Sequence, residues 1–270
     1  MEPPAHPRWR EPRCYNAPMG YADELFDLTG RVALVTGGSR GLGKAMVLAL
    51  ARCGADVVIT SRDLDACQTA AKEVEATTGR AALAYACHVG RWDQLDGLVD
   101  GAYDRFGHVD VLVNNAGKSP VYENLLDVNE QLWDSVLNLN LRGPFRLSVL
   151  VGNRMRDAGR GSIINISTSG ALRPDPSFAP YAAAKAGLNN ITESLAKEFG
   201  PTVRVNCISS GPFHTDATAG WPEETKRGMP SFALGRMGHP PEIVGAALYF
   251  ASDASSFTTG AILRVDGGMP

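Results

Sequence analysis

The chain has 270 residues, 44% of them hydrophobic and 20% charged, with a formal net charge of −3. That balance excludes a disordered chain and a membrane-embedded one. It also argues against nucleic acid as a partner, because no basic excess is available to neutralise a phosphate backbone. Glycine is the outlier at 29 residues, about 11% against a usual ~7%, so the places where it clusters are the first to inspect.

Residues 1–18 carry five prolines and three arginines without the apolar stretch of a secretory signal. Residues 1–22 are therefore expected to be a disordered Pro-rich tail, with Met19 a candidate start. The five cysteines, at 14, 53, 67, 87 and 207, form no C-x-x-C pair and no metal-ligand spacing. An odd count without a framework suits a reducing compartment, and the expected location is the cytoplasm. No apolar run approaches the ~18 residues that span a bilayer, so no membrane is expected.

From Arg31 onward one pattern repeats. Short apolar runs occur at Val32–Val35, Asp56–Ile59, Ala82–Tyr85, Val111–Val113, Ile163–Ile166, Val203–Val205 and Ile262–Val265. They are rich in Val, Ile and Leu and mostly do not alternate, as strands covered on both faces read. Helical stretches lie between them; Leu188, Ile191, Leu195 and Phe199 form an amphipathic stripe running on from Tyr181. Alternation of this kind predicts an α/β fold, a Rossmann-type doubly wound parallel sheet of about seven strands with helices on both faces. Residues 23–270 read as a single domain for dinucleotide binding and catalysis.

Directly after the first strand stands Thr36-Gly-Gly-Ser-Arg-Gly-Leu-Gly43, which leads into a helix. Glycines at such a turn let the backbone approach a pyrophosphate, and the helix N-terminus supplies free N–H groups. The spacing of Gly37, Gly41 and Gly43 is G-x-x-x-G-x-G rather than the usual G-x-G-x-x-G. At the end of the second strand an NAD site places an acidic residue, whereas an Arg accommodates a 2′-phosphate. Ser61 occupies that place, Arg62 follows it, and Arg40 in the glycine turn is a second cation. Asp63 reads as the N-cap of the next helix rather than a ribose contact. Two cations and no carboxylate at the key position favour NADP(H) over NAD.

The glycine turn, Asn114-Asn-Ala-Gly117 after the fourth strand, and Tyr181-Ala-Ala-Ala-Lys185 together resemble the short-chain dehydrogenase/reductase family. The resemblance runs over residues 28–269 and takes in Asn140, the Arg204-Val-Asn206 strand and the closing Val265-Asp-Gly-Gly268. It is similar to 3-oxoacyl-acyl-carrier-protein reductase-like members.

The family likeness implies hydride transfer between NADP(H) and a small-molecule carbonyl or alcohol, either a 3-oxoacyl thioester or another medium-sized ketone. It implies no metal, and a homotetramer or homodimer. Asn140, Thr168, Tyr181 and Lys185 would be catalytic. Cofactor contacts would come from Gly37, Ser39, Arg40, Leu42, Ser61, Arg62, His88, Val89, Asn115, Ala116, Gly117, Tyr181, Lys185, Gly211 and Thr215. On a helix Tyr181 and Lys185 share a face, and an ammonium within ~4–6 Å should favour the phenolate.

Three positions depart from the family pattern. The hydroxyl thirteen residues before Tyr181 is Thr168 rather than a Ser, with Ser167 the alternative one residue earlier. Neighbours on a strand face opposite ways, so only one of them reaches the substrate; Thr168 is preferred. His88 stands where the family often has an Asp that touches adenine, and its imidazole can supply one hydrogen bond or be a plain surface group. Ser210-Gly211 replaces Pro-Gly after the sixth strand, and Thr215 reads either as a carboxamide contact or as a helix N-cap. These departures keep open a second class of protein, a nucleotide binder of the same fold whose chemistry has lapsed. Residues 213–239 read as a lid or binding segment with Gly220 and Gly228 as hinges, and Arg173 and Phe178 as pocket residues.

Overall fold

The computed structural model describes residues 20–227 and 229–270. Residues 1–19 of the expected tail lie outside the described residues, while Gly20–Leu25, including the last three tail positions, forms helix α1. The elements that follow are β1 (Val32–Thr36), α2 (Gly41–Arg52), β2 (Asp56–Ser61), α3 (Leu64–Thr78), β3 (Ala82–Ala86), α4 (Trp92–Phe106) and β4 (Val111–Asn114). Then come α5 (Glu130–Leu137), α6 (Gly143–Asp157), β5 (Gly161–Thr168), α7 (Ala179–Phe199), β6 (Val203–Ser210), α8 (Glu223–Arg227), α9 (Val244–Ala251) and β7 (Ile262–Val265).

The strands are the apolar runs of the sequence, all but β7 lengthened at their carboxyl ends and β5 at both. They pair in the order β3-β2-β1-β4-β5-β6-β7, every pair parallel. Val, Ile and Leu fill both faces because helices cover both. One face packs Val35, Ile59, Ile164 and Ile208 against α2, α3 and α9 through Met46, Leu50, Val74 and Phe250. The other packs Leu34, Val58, Leu112 and Val205 against α4, α6 and α7 through Leu98, Leu147 and Phe199.

The chain winds outward from β1 to β3 in one direction and from β4 to β7 in the other. The switch between β1 and β4 opens a crevice at the carboxyl ends of the strands, where folds of this topology bind ligands. A buried polar chain stiffens this region. Asn114 Nδ2 donates to Asn165 Oδ1 at 2.9 Å and to Ser148 Oγ at 3.0 Å. Asn165 Nδ2 then donates to Thr192 Oγ1 at 2.9 Å, so β4, β5, α6 and α7 are locked together. The amide donors of this buried chain are used, while Asn114 Oδ1 has no partner among the described residues; the bonds that are made tie the four elements to one another.

Candidate active site

At the switch point the glycine turn is shaped by contacts only glycine permits. Gly37 and Gly41 adopt φ of +64° and +55°, a region side chains rarely enter. A Cβ on Gly43 would stand 2.1 Å from the Gly37 carbonyl oxygen. The turn after β4 clasps it from above: Thr36 Oγ1 accepts from the N–H groups of Asn115 and Ala116 at 2.9 and 3.0 Å. Asn115 Nδ2 donates to the carbonyls of Thr36 and Gly37 at 2.9 and 3.2 Å. The Asn115 side chain is thus spent on the turn itself. Ser39 and Leu42 flank the start of α2, which has no side-chain cap. Its first N–H groups remain free to bind an anion. The cradle of glycines and free N–H groups fits a dinucleotide pyrophosphate.

Beyond the turn, the ends of β2 and β3 come together. Asp63 Oδ1 accepts from the Ala66 N–H at 3.0 Å, capping α3 as its position suggested. Ser61 Oγ stays local, bonded to the Asp63 carbonyl at 3.0 Å, and Arg62 is exposed beside it. His88, next to the buried Val89, accepts from the Gly90 N–H through Nδ1 at 3.1 Å. That bond leaves Nε2 as the protonated nitrogen. Burial, with Arg62 adding repulsion, holds the imidazole below its ordinary pKa, so His88 is a neutral group with one donor. Arg40 meets an unexpected partner: its guanidinium lies 3.3 Å from Asp216. The local sequence offers Arg40 no carboxylate in the glycine turn, but the fold brings one in from the segment after β6.

Thr168, Tyr181, Lys185 and Asn140 converge across the crevice. Ser167 Oγ is buried and donates to the Lys185 carbonyl at 3.2 Å, so it turns into α7. Thr168 faces the other way, and its hydroxyl lies close enough to the Tyr181 phenol to draw its pKa down. Burial outweighs that effect and pushes Tyr181 up to about 12. This corrects the expectation of a lowered phenol. Lys185 Nζ donates to the Ile166 carbonyl at 2.7 Å and stands 5.9 Å from the ring centroid, and it contributes no resolved lowering. Burial pushes Lys185 itself down to about 8, opposed weakly by Cys207.

Asn140 arrives by an irregularity no sequence period signals. Between α5 and α6 the helix widens over Asn138–Arg142, where the Gly143 N–H bonds the Asn138 carbonyl five residues back. Single wide turns of this kind often occur at functional sites. The widened turn sets Asn140 with Nδ2 donating to the carbonyls of Lys118 and Val136 at 2.9 and 3.0 Å. Its Oδ1 accepts from the Lys118 N–H at 3.2 Å. A Cβ on Gly117 would come within 2.7 Å of that Oδ1 and 3.7 Å of Lys185 Nζ, so Gly117 keeps the space between the two groups open.

Gly211 packs against Asp266, where a Cβ would meet the Asp266 Cα at 2.6 Å. Thr215 is the N-cap residue of a single turn, Asp216–Thr218, and its methyl would lie 3.5 Å from a Cβ on Gly41. Described residues within 213–239 are tied down at several points: Phe213 bridges to Gly238, and the N–H groups of Ala233 and Leu234 bond Gly268 and Gly267. Gly228 lies outside the described residues. Arg173 Nε bonds the Pro270 carbonyl at 2.7 Å, and Phe178 packs on Gly170. Among the described residues no group of three acids, histidines or cysteines is placed to hold a metal.

A glycine cradle at the switch point of a doubly wound sheet, facing a helix-borne Tyr and Lys, defines a Rossmann-type oxidoreductase that binds a nicotinamide cofactor. The family model described as enoyl-(acyl carrier protein) reductase matches residues 37–270. A curated relative, 3-oxoacyl-[acyl-carrier-protein] reductase of Chlamydia trachomatis, is 40% identical over 247 residues, 90% of this chain and 98% of the relative. Among solved structures, a short-chain type dehydrogenase/reductase from Mycobacterium marinum superposes with a TM-score of 0.86 at 35% identity, covering 91% of this chain and 98% of that one. NADPH-dependent 3-quinuclidinone reductase from Rhodotorula rubra gives 0.90 at 27% identity, with 99% of both chains covered. The chain belongs to the short-chain dehydrogenase/reductase family and is an oxidoreductase.

Proposed function

We propose that the chain is an NADPH-dependent carbonyl reductase, reversible as an alcohol dehydrogenase, acting on a 3-oxoacyl thioester or another ketone of medium size. The observation that carries this reading is the convergence of Thr168, Tyr181, Lys185 and Asn140 beside the glycine cradle. A bound nicotinamide supplies the hydride. Tyr181, protonated at neutral pH as any phenol is and pushed further up by burial, gives its phenolic proton to the carbonyl oxygen as negative charge develops there. Thr168, with one donor and two acceptor positions, orients the same oxygen. Lys185, still cationic at neutral pH, is held by the Ile166 carbonyl and offers its remaining donors to a ribose. Asn140 holds the backbone of Lys118, beside the route by which water returns a proton.

Ser61 at the place of the usual acid, Arg62 exposed next to it, and Arg40 in the turn support NADPH over NADH. The names of the Chlamydia and Rhodotorula relatives support the ketone class and the cofactor. The cysteine usage supports a cytoplasmic enzyme, and no described helix is long and apolar enough to cross a membrane. Trp133 on α5 and Phe145 on α6, exposed at 41% and 38%, support a homotetramer or homodimer.

The test is reduction of a 3-oxoacyl thioester and of a panel of ketones by NADPH and NADH. Tyr181→Phe should lower turnover about 10²–10⁴-fold with cofactor binding kept, and Arg62→Ala should weaken NADPH but not NADH. NADPH binding without turnover on any carbonyl would identify a lapsed nucleotide binder instead. Tighter binding of NADH than of NADPH would overturn the cofactor assignment.

A further inference from the structure

The ion pair between Arg40 and Asp216 joins two parts of the site that the chain separates by 176 residues. Arg40 opens α2 and has no other side-chain partner among the described residues. Its side chain is 72% exposed and therefore free to turn toward a ligand. Asp216 is comparably exposed at 69%, but it stands on a braced turn. Its turn is held by Thr218 Oγ1, which donates to the carbonyls of Phe213 and Thr215 at 2.8 and 3.0 Å. Phe213 in turn bridges to Gly238, and the His214 ring stacks on His239 with centroids 4.9 Å apart. The neighbouring Thr215 reaches the glycine turn at Gly41. A carboxylate on a braced turn thus faces a cation at the rim of the cofactor cradle, both side chains exposed.

We infer that Asp216 is a built-in competitor for the 2′-phosphate of the cofactor and sets how strongly the enzyme distinguishes NADPH from NADH. The inference rests on the proposed NADPH reading. A guanidinium that binds a carboxylate suits a phosphate through the same fork of donors. A phosphate taken up by Arg40 must displace Asp216 or sit beside its negative charge. Either event costs affinity, and only for ligands that carry the 2′-phosphate. It also weakens the tie between the glycine turn and the segment after β6, so the phosphorylated cofactor is expected to loosen that contact.

The measurement is calorimetric binding of 2′,5′-ADP and of 5′-ADP to the full chain and to Asp216→Asn, Arg40→Ala and the double variant. Thermal unfolding verifies that each variant folds. The wild type should prefer 2′,5′-ADP; if it does not, the NADPH reading itself fails. Given that preference, Asp216→Asn should tighten 2′,5′-ADP about three- to fivefold at low salt, in the range of exposed charge pairs, and leave 5′-ADP unchanged. The gain should vanish in the Arg40→Ala background and shrink in molar salt, where screening acts over ~3 Å. A wild type that prefers 2′,5′-ADP, combined with an Asp216→Asn that leaves its affinity unchanged, weakens it, or tightens both nucleotides equally, would sink the inference alone.

Discussion

Replacing Lys185 with Met tests whether the site is maintained at the expense of stability. Lys185 is 2% exposed, and burial brings its pKa from 10.5 to about 8. A depressed lysine means that the unfolded chain binds the proton more tightly than the folded one. The cost is fully present below pH 8 and fades as pH rises toward 10.5. The gap is worth about 3 kcal/mol at pH 7 and about 1 kcal/mol at pH 9.5. Met fills much of the same volume but strands the Ile166 carbonyl that Nζ now bonds, a loss of about 1–3 kcal/mol. Lys185→Met should therefore be as stable as the wild type at pH 7, or up to about 2 kcal/mol more stable, while losing turnover. Urea unfolding of both proteins at pH 7 and 9.5 reads this directly. The difference should move by about 2 kcal/mol in favour of the wild type at the higher pH. Groups common to both proteins cancel in the difference. A difference that stays constant with pH, or a variant more than about 3 kcal/mol weaker at pH 7, would refute the reasoning.

The hydroxyl pair separates cleanly. Thr168→Ala should lower kcat by about 10²-fold or more with the unfolding midpoint kept. Ser167→Ala, which removes the buried bond to the Lys185 carbonyl, should cost about 1 kcal/mol of stability and leave most turnover; the reverse pattern in steady-state kinetics would assign Ser167 instead. Gly43→Ala places a Cβ 2.1 Å from the Gly37 carbonyl, so nucleotide affinity measured by fluorescence titration should fall at least about tenfold, a loss of ~1.4 kcal/mol or more. Unchanged affinity would show that the cradle does not touch the cofactor.

Much of this molecule is legible from its residues because few physical alternatives compete. Runs such as Ile163–Ile166 sit between helical stretches, and only a sheet buried on both faces uses such runs efficiently. Asp63 caps α3 because a short acid before a helix has an N–H within reach. The phenol was harder. Spacing along α7 places Lys185 on the face of Tyr181, but it says nothing about burial or about Ile166, whose carbonyl takes the ammonium. Desolvation then decides the direction of the shift. Asp216 was invisible near Arg40 for a related reason, since their meeting depends on how the segment after β6 folds back over the glycine turn.

The widened turn at Asn138–Arg142 puts the two halves of that helical stretch out of phase. Residues before it and after it follow different reading frames around the helix axis, offset by about one residue, or ~100°. A deletion of one residue inside the turn would restore a regular ladder of bonds and keep the outer faces of α5 and α6 close to their places. The same deletion would swing Asn140 away from Lys118. Loss of one amino acid here would yield a folded but impaired chain, so length itself, as well as residue identity, is a functional constraint on this stretch.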